Sequence, residues 1–211
     1  MTVPGSALKR LLPDLPPACL PHLPGLLAGD EASAQAFFAG LAPHRRGEMA
    51  VALYQDGLAR ASLRVAVTAA WEAGPREFGE AAKGNRKALG IISACVFPPA
   101  LDLAASVTVW RGTSGLSRAD AETGMSWSLS RDAACWHALQ GVERFGPPVV
   151  VRRVLRRASI LWVRQDRGQV IEVVPSRPGL ADADPDPATW AESAARYAAR
   201  LDGNKSREPQ S

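Results

Sequence analysis

A chain of 211 residues, 46% hydrophobic and 22% charged, is long enough for a packed core and too apolar for wholesale disorder. A net charge of +4, carried mostly by arginine, does not by itself indicate a nucleic-acid or membrane-surface protein, and three widely spaced cysteines, Cys19, Cys95 and Cys135, argue against a disulfide scaffold and fit a reducing compartment. No leader of the basic, apolar, small-residue kind opens the sequence, and the longest apolar region, 88–109, is broken by Pro98, Pro99 and Asp102, so the expectation is a cytoplasmic protein that does not engage a membrane.

Residues 1–28 hold Pro4, Pro13, Pro16, Pro17, Pro21 and Pro24. Each removes a donor and fixes its backbone, which excludes a long helix and predicts an extended segment. Cys19 and His22 have CxxH spacing but no second pair, so no metal site is expected. Residues 29–100 read as helical. Asp30 caps a helix over 31–41 whose apolar side is Phe37, Phe38 and Leu41. A long helix over 47–73 buries Met49, Leu53, Leu63, Val67 and Trp71, with Gly57 weakening its middle and Gly74-Pro75 ending it. A third helix over 76–95 turns Phe78, Ala82, Leu89 and Ile92 inward, with Gly84-Asn85 as a break.

Beyond Pro98-Pro99 the apolar period changes from helical to alternating. Strands are predicted over 107–111, 149–155, 160–164 and 169–174, with a helix over 131–139 capped by Ser130. These define a β core over 101–176. A proline- and aspartate-rich loop and a C-terminal helix carrying Trp190, Tyr197 and Leu201 fill 177–202, and 203–211 reads as a disordered tail. The fold class is α+β, with the helical region and the β core expected as one compact unit. Arg152, Arg153, Arg156 and Arg157 fall on both faces of one strand. They read as a solvated edge guarded against pairing, with a salt-sensitive nucleic-acid patch as the other reading.

Three groups in the β core invite chemistry. Arg111 follows an apolar strand in Trp110-Arg111-Gly112, and its planar guanidinium suits phosphates. Ser126 and Ser128 share one face of a short second strand, and Trp127 takes the other. Glu172 sits between Ile171 and Val173 on an apolar strand, where a carboxylate needs a partner or a purpose. Read from the residues, the set is either a salt-bridged sheet or a ligand site. The G-x-S-x-G step of a serine hydrolase and the lysine of a phosphate loop are both missing around Gly112-Thr113-Ser114-Gly115.

The order of strand arginine, serine segment and late strand glutamate resembles the ADP-ribosyltransferase superfamily of the arginine-serine-glutamate type. VWRGTS, GMSWSLSRDAACWHA and DRGQVIEVV are similar to bacterial and phage ADP-ribosyltransferase-like proteins. Those have a YRG-type strand, a G-x-S-W-T segment leading into a helix that ends in Phe-Ala, and an R-x-E-x-E-V-type strand. The likeness covers 107–175, about a third of the chain. It implies a helical N-terminal region followed by a split β-sheet core, with NAD as the substrate. Arg111 would hold the NAD phosphates or ribose, and the Gly112 backbone would grip the carboxamide. Ser126, with Ser128 as second candidate, would position Glu172, and Trp127 would pack behind. Glu172 would bond the nicotinamide-ribose hydroxyl and stabilise the oxocarbenium-like transition state.

The sequence departs from that pattern in places. Val170 stands where transferases that modify arginine carry a second acid, and Gln169 is one position further back. Trp136-His137-Ala138 replaces Phe-Ala, and Arg167 matches the arginine ahead of the glutamate strand. The implied activity is cleavage of NAD with transfer of ADP-ribose to water or to a protein or nucleic-acid acceptor, as in a toxin with an immunity partner. The other implied reading is a catalytically inactive binding or structural module of the same fold.

Overall fold

The computed structural model describes residues 5–95, 97, 103–166 and 169–205. The Pro98-Pro99 boundary, Arg167 and Gly168, and the last six residues of the tail lie outside them. The chain divides into two compact units, 1–98 and 99–211.

The described part of the first unit is built from helices. The proline-rich segment is not extended. It forms α1 (Ser6–Lys9), 3-10 turns at Leu12–Asp14 and Pro17–His22, and α2 (Leu23–Ala28). Pro13, Pro17 and Pro24 stand in the first turns of three of these, where the missing N–H has no helical partner to lose. Short helical turns therefore satisfy the sequence as well as an extended run does. The Asp56 carboxylate ties the segment down, accepting from the Ala7 and Leu8 amides at 3.1 and 2.8 Å.

Asp30 caps α3 (Glu31–Ala39), its carboxylate accepting from the Ser33 amide at 2.8 Å. The helix expected over 47–73 is two helices, α4 (Pro43–Gln55) and α5 (Arg60–Ala73). Gly57 takes φ +74° between them, a left-handed conformation that ends α4. Residues 76–95 also divide, into α6 (Pro75–Ala81) and α7 (Asn85–Ala94), around Lys83 and Gly84, both with positive φ. Every core residue expected on these helices, from Phe37 to Ile92, is buried.

The second unit mixes helix with two small antiparallel sheets, so the chain is α+β. β1 (Ser106–Ser114) pairs with β2 (Pro148–Arg156), whose other side takes the two-residue β5 (Asp182–Ala183). β3 (Ile160–Asp166) and β4 (Gln169–Pro175) form the other sheet. Among the described residues the α-helices that accompany them are α8 (Arg118–Glu122), α9 (Arg131–Gln140), α10 (Val142–Phe145) and α11 (Trp190–Lys205). α11 continues three residues beyond the expected start of the tail.

The segment 126–128 is not a strand of either sheet but a seam between them. Trp110 and Ser128 exchange backbone hydrogen bonds at 2.7 and 2.8 Å, and Trp127 and Val173 do so at 3.0 and 2.7 Å. One residue reaches each side, too few to found a strand. Val109, Trp127, Val151, Leu155 and Val173 make one core at this seam. Ala134, Cys135, Ala138, Val150 and Ala194, with Trp110 and Trp190, make the other, where α9 and α11 cover the opposite face of β1 and β2.

β5 pairs with β2 only at Val151 and Arg152, so of the β2 arginines Arg152 alone stands opposite it. Arg153 points inward between Val151 and Leu155. It is 8% exposed, and its guanidinium carbon lies 4.4 Å from the centre of the Trp127 ring. Burial lowers its pKa to about 10. Arg156 and Arg157 are exposed.

A different arginine fixes α9. Arg131 donates from Nε to Asp184 at 2.9 Å and from Nη1 to the Ser193 hydroxyl at 2.8 Å, while Nη2 reaches the Asp186 carbonyl and the Thr189 hydroxyl. The Asp184 side chain is fully buried and also accepts from the Trp190 indole at 2.7 Å. A buried carboxylate is tolerated when it is this completely bonded.

Candidate active site

Alternation along β1 turns Val109 and Arg111 toward the seam and Gly112 toward α9. Arg111 donates from Nη1 to the Ser126 carbonyl at 2.9 Å. The Ser126 hydroxyl donates to Oε1 of Glu172. The three residues expected to form the site therefore do converge: Arg111 orients the serine segment, and the serine holds the glutamate. The Trp127–Val173 backbone pair sets this spacing, because it locks the neighbour of Ser126 against the neighbour of Glu172.

Glu172 is buried, with its side chain 8% exposed. Its Oε2 accepts from Nε of Arg164 at 2.9 Å. Arg164 is 44% exposed and was not among the expected site residues. A register shift brings the two together. The ladder runs Asp166–Gln169, Gln165–Val170 and then Arg164–Glu172, leaving Ile171 outside the pairing. Continuing the first two pairs would have set Arg164 against Ile171.

Arg111 is poorly served for a buried cation. Its Nε is buried without a hydrogen-bond partner among the described residues. Burial pushes its guanidinium below the ordinary arginine range, and the Glu172 charge pulls the other way. Gly124 leaves room for it, since a Cβ there would fall 2.1 Å from Nε. A planar fork with an unused inward donor beside a buried carboxylate fits an anionic ligand.

The other expected residues divide by role. Gly112 is required for packing: a Cβ would come within 1.7 Å of the Ala134 carbonyl on α9. Ser128 accepts from the Ser130 amide at 3.0 Å and so shapes the turn into α9, while Ser126 alone of the two serines bonds Glu172. Trp127 is 1% exposed and packs behind the site, its indole donating to the Gly124 carbonyl at 2.8 Å. His137 lies on the exposed side of α9, within electrostatic reach of the site. Desolvation and the charges of Arg111 and Arg164 lower its pKa, and Glu172 opposes them. Cys19 is buried, its thiol donating to the Phe37 carbonyl at 3.4 Å. No cluster of metal-ligating side chains occurs among the described residues.

Comparison with protein-family models gave no match, and neither did comparison with curated proteins or with solved structures. The described residues contain no helix long and apolar enough to cross a membrane.

Proposed function

We propose that the second unit is an ADP-ribosyltransferase-like domain with a split β-sheet core, which binds NAD and cleaves its nicotinamide–ribose bond. The observation that carries this reading is the Ser126–Glu172 hydrogen bond, oriented by Arg111 on the Ser126 carbonyl. In the reaction the C–N bond breaks and its electron pair leaves with nicotinamide. Positive charge develops on the ribose, and a preoriented carboxylate in a water-poor cleft stabilises it. The acceptor, which is water or a nucleophile on a protein or nucleic acid, bonds to the sugar carbon and gives up its proton. Ser126 holds the Glu172 carboxylate in one orientation, so little reorganisation accompanies the charge development. Arg111 supplies the cation for the NAD phosphates, and Trp127 holds the floor of the site. Val170 stands where arginine-modifying relatives carry a second acid, so the acceptor is not expected to be arginine.

The experiment is nicotinamide release by purified protein with candidate acceptors present, compared with Glu172→Gln. Release that depends on Glu172 supports the reading. No release from either protein sinks it in favour of a catalytically inactive module. Equal release from both removes Glu172 from the mechanism.

A further inference from the structure

The outer edge of β2 is paired for only part of its length. Trp110 exchanges both backbone hydrogen bonds with Ser128, so its β2 partner, Arg152, turns its own amide and carbonyl toward β5. The Asp184 amide donates to the Val150 carbonyl on the same side. Alternation puts the amide and carbonyl of Val154 on that edge too. The ladder with β5 stops at Arg152, and among the described residues no backbone group meets Val154 there. Continued in register, the ladder would set Leu180 opposite Val154, and Pro178, which has no N–H to give, opposite Arg156. The chain turns to the inner face instead: Ala181 packs with Val151 and Leu155, and the Arg177 carbonyl accepts from Nη2 of Arg153 at 3.5 Å. Val154 is left 67% exposed, with Arg156 exposed beside it.

We infer that this edge takes an added strand, an acidic extended segment of a partner protein. The N–H and C=O of Val154 present the donor and acceptor that another peptide backbone completes. The side chains choose the partner. Residues 148–157 hold four arginines and no acid, and of these Arg152 already stands opposite Asp182. An apolar residue set against Val154 and a carboxylate set against Arg156 each gain a cross-strand contact. A second copy of this chain fits poorly. A twofold antiparallel pair centred on Val154 sets Arg152 against Arg156, and like charges placed opposite one another repel. Nucleic acid would accept from the arginines but brings no peptide amide for the Val154 carbonyl. The arginine run that keeps the edge from pairing with itself thereby selects an acidic strand. The inference is independent of the NAD reading.

The test measures binding of three probes by calorimetry: a capped peptide of alternating valine and glutamate, its valine–lysine counterpart, and oligothymidylate. The glutamate peptide should bind wild type about tenfold or more tightly than the lysine peptide. Val154→Pro deletes an amide that points away from β1, so it should spare the fold and weaken the glutamate peptide about tenfold or more. Arg156→Glu should reverse the preference between the two peptides, and it carries the test if Val154→Pro does not fold. Glutamate-peptide binding that survives Val154→Pro in a folded protein would show charge attraction without strand addition and overturn the inference. Tighter, steeply salt-dependent binding of oligothymidylate would make the run a nucleic-acid patch and overturn it too. Failure of the glutamate peptide to bind wild type would do the same.

Discussion

Two arginine–carboxylate clusters in the second unit look alike in composition and differ in how completely they are bonded. Around Arg131, all three guanidinium nitrogens have partners, and Asp184 is fully buried with the Trp190 indole on it. Around Glu172, Arg111 Nε is buried without a hydrogen-bond partner among the described residues, and Arg164 is half in solvent. A network that closes on itself fastens α9 to α11. A network with an unused donor and an exposed cation has capacity left for something else. On the proposed function, burial of a charged group does not by itself mark the site; incomplete satisfaction does.

The contrast can be broken most sharply from the closed side. Asp184→Ala leaves Arg131 without its carboxylate in a buried setting, and should lower stability by about 3–5 kcal/mol in a denaturant titration. A loss below about 1 kcal/mol would show that the cluster is no anchor. The next contrast lies between the two serines. Ser126→Ala frees the Glu172 carboxylate to rotate and should slow nicotinamide release by about tenfold or more, whereas Ser128→Ala removes one turn hydrogen bond and should cost about 1 kcal/mol of stability with little change in rate. Equal rate losses would mean that the seam, not the hydroxyl on Glu172, matters.

The smallest effect concerns His137. Its pKa in the folded protein lies below the ordinary 6.5, so the unfolded chain takes up its proton first as pH falls. Stability contributed by neutral His137 is present above pH 6.5 and is lost as pH falls through the folded value. Melting temperature should therefore drop more steeply with acidification in wild type than in His137→Asn. Parallel curves would show that the fold neither desolvates His137 nor places it in the field of Arg111 and Arg164.

Much of the second unit was legible in the sequence. Period-two alternation gave β1 to β4 to within a few residues, and the residue types at 111, 126 and 172 singled out three residues that the structure brings together. What was hidden depended on register or on a neighbour distant in sequence. Arg164 meets Glu172 through a one-residue shift that no pattern announces. Gly112 read as a residue opened for a ligand, but α9 sets the need for glycine there. Ser126 and Ser128 read as twins on one strand face and are separated by the turn into α9. In the first unit, the core residues were plain from spacing, while the division of a long apolar pattern into α4 and α5 required the left-handed Gly57. Arg153 shows the limit most clearly: nothing in VVVRRVLRRAS tells which arginine of the run stacks on Trp127.

The central claim, that the incompletely satisfied cluster is the catalytic one, is tested most directly by the initial rate of nicotinamide release from NAD by wild type and Glu172→Gln at matched folded concentration. The account predicts a fall of about 10²–10³-fold in the variant. A variant that releases nicotinamide at the wild-type rate would contradict it.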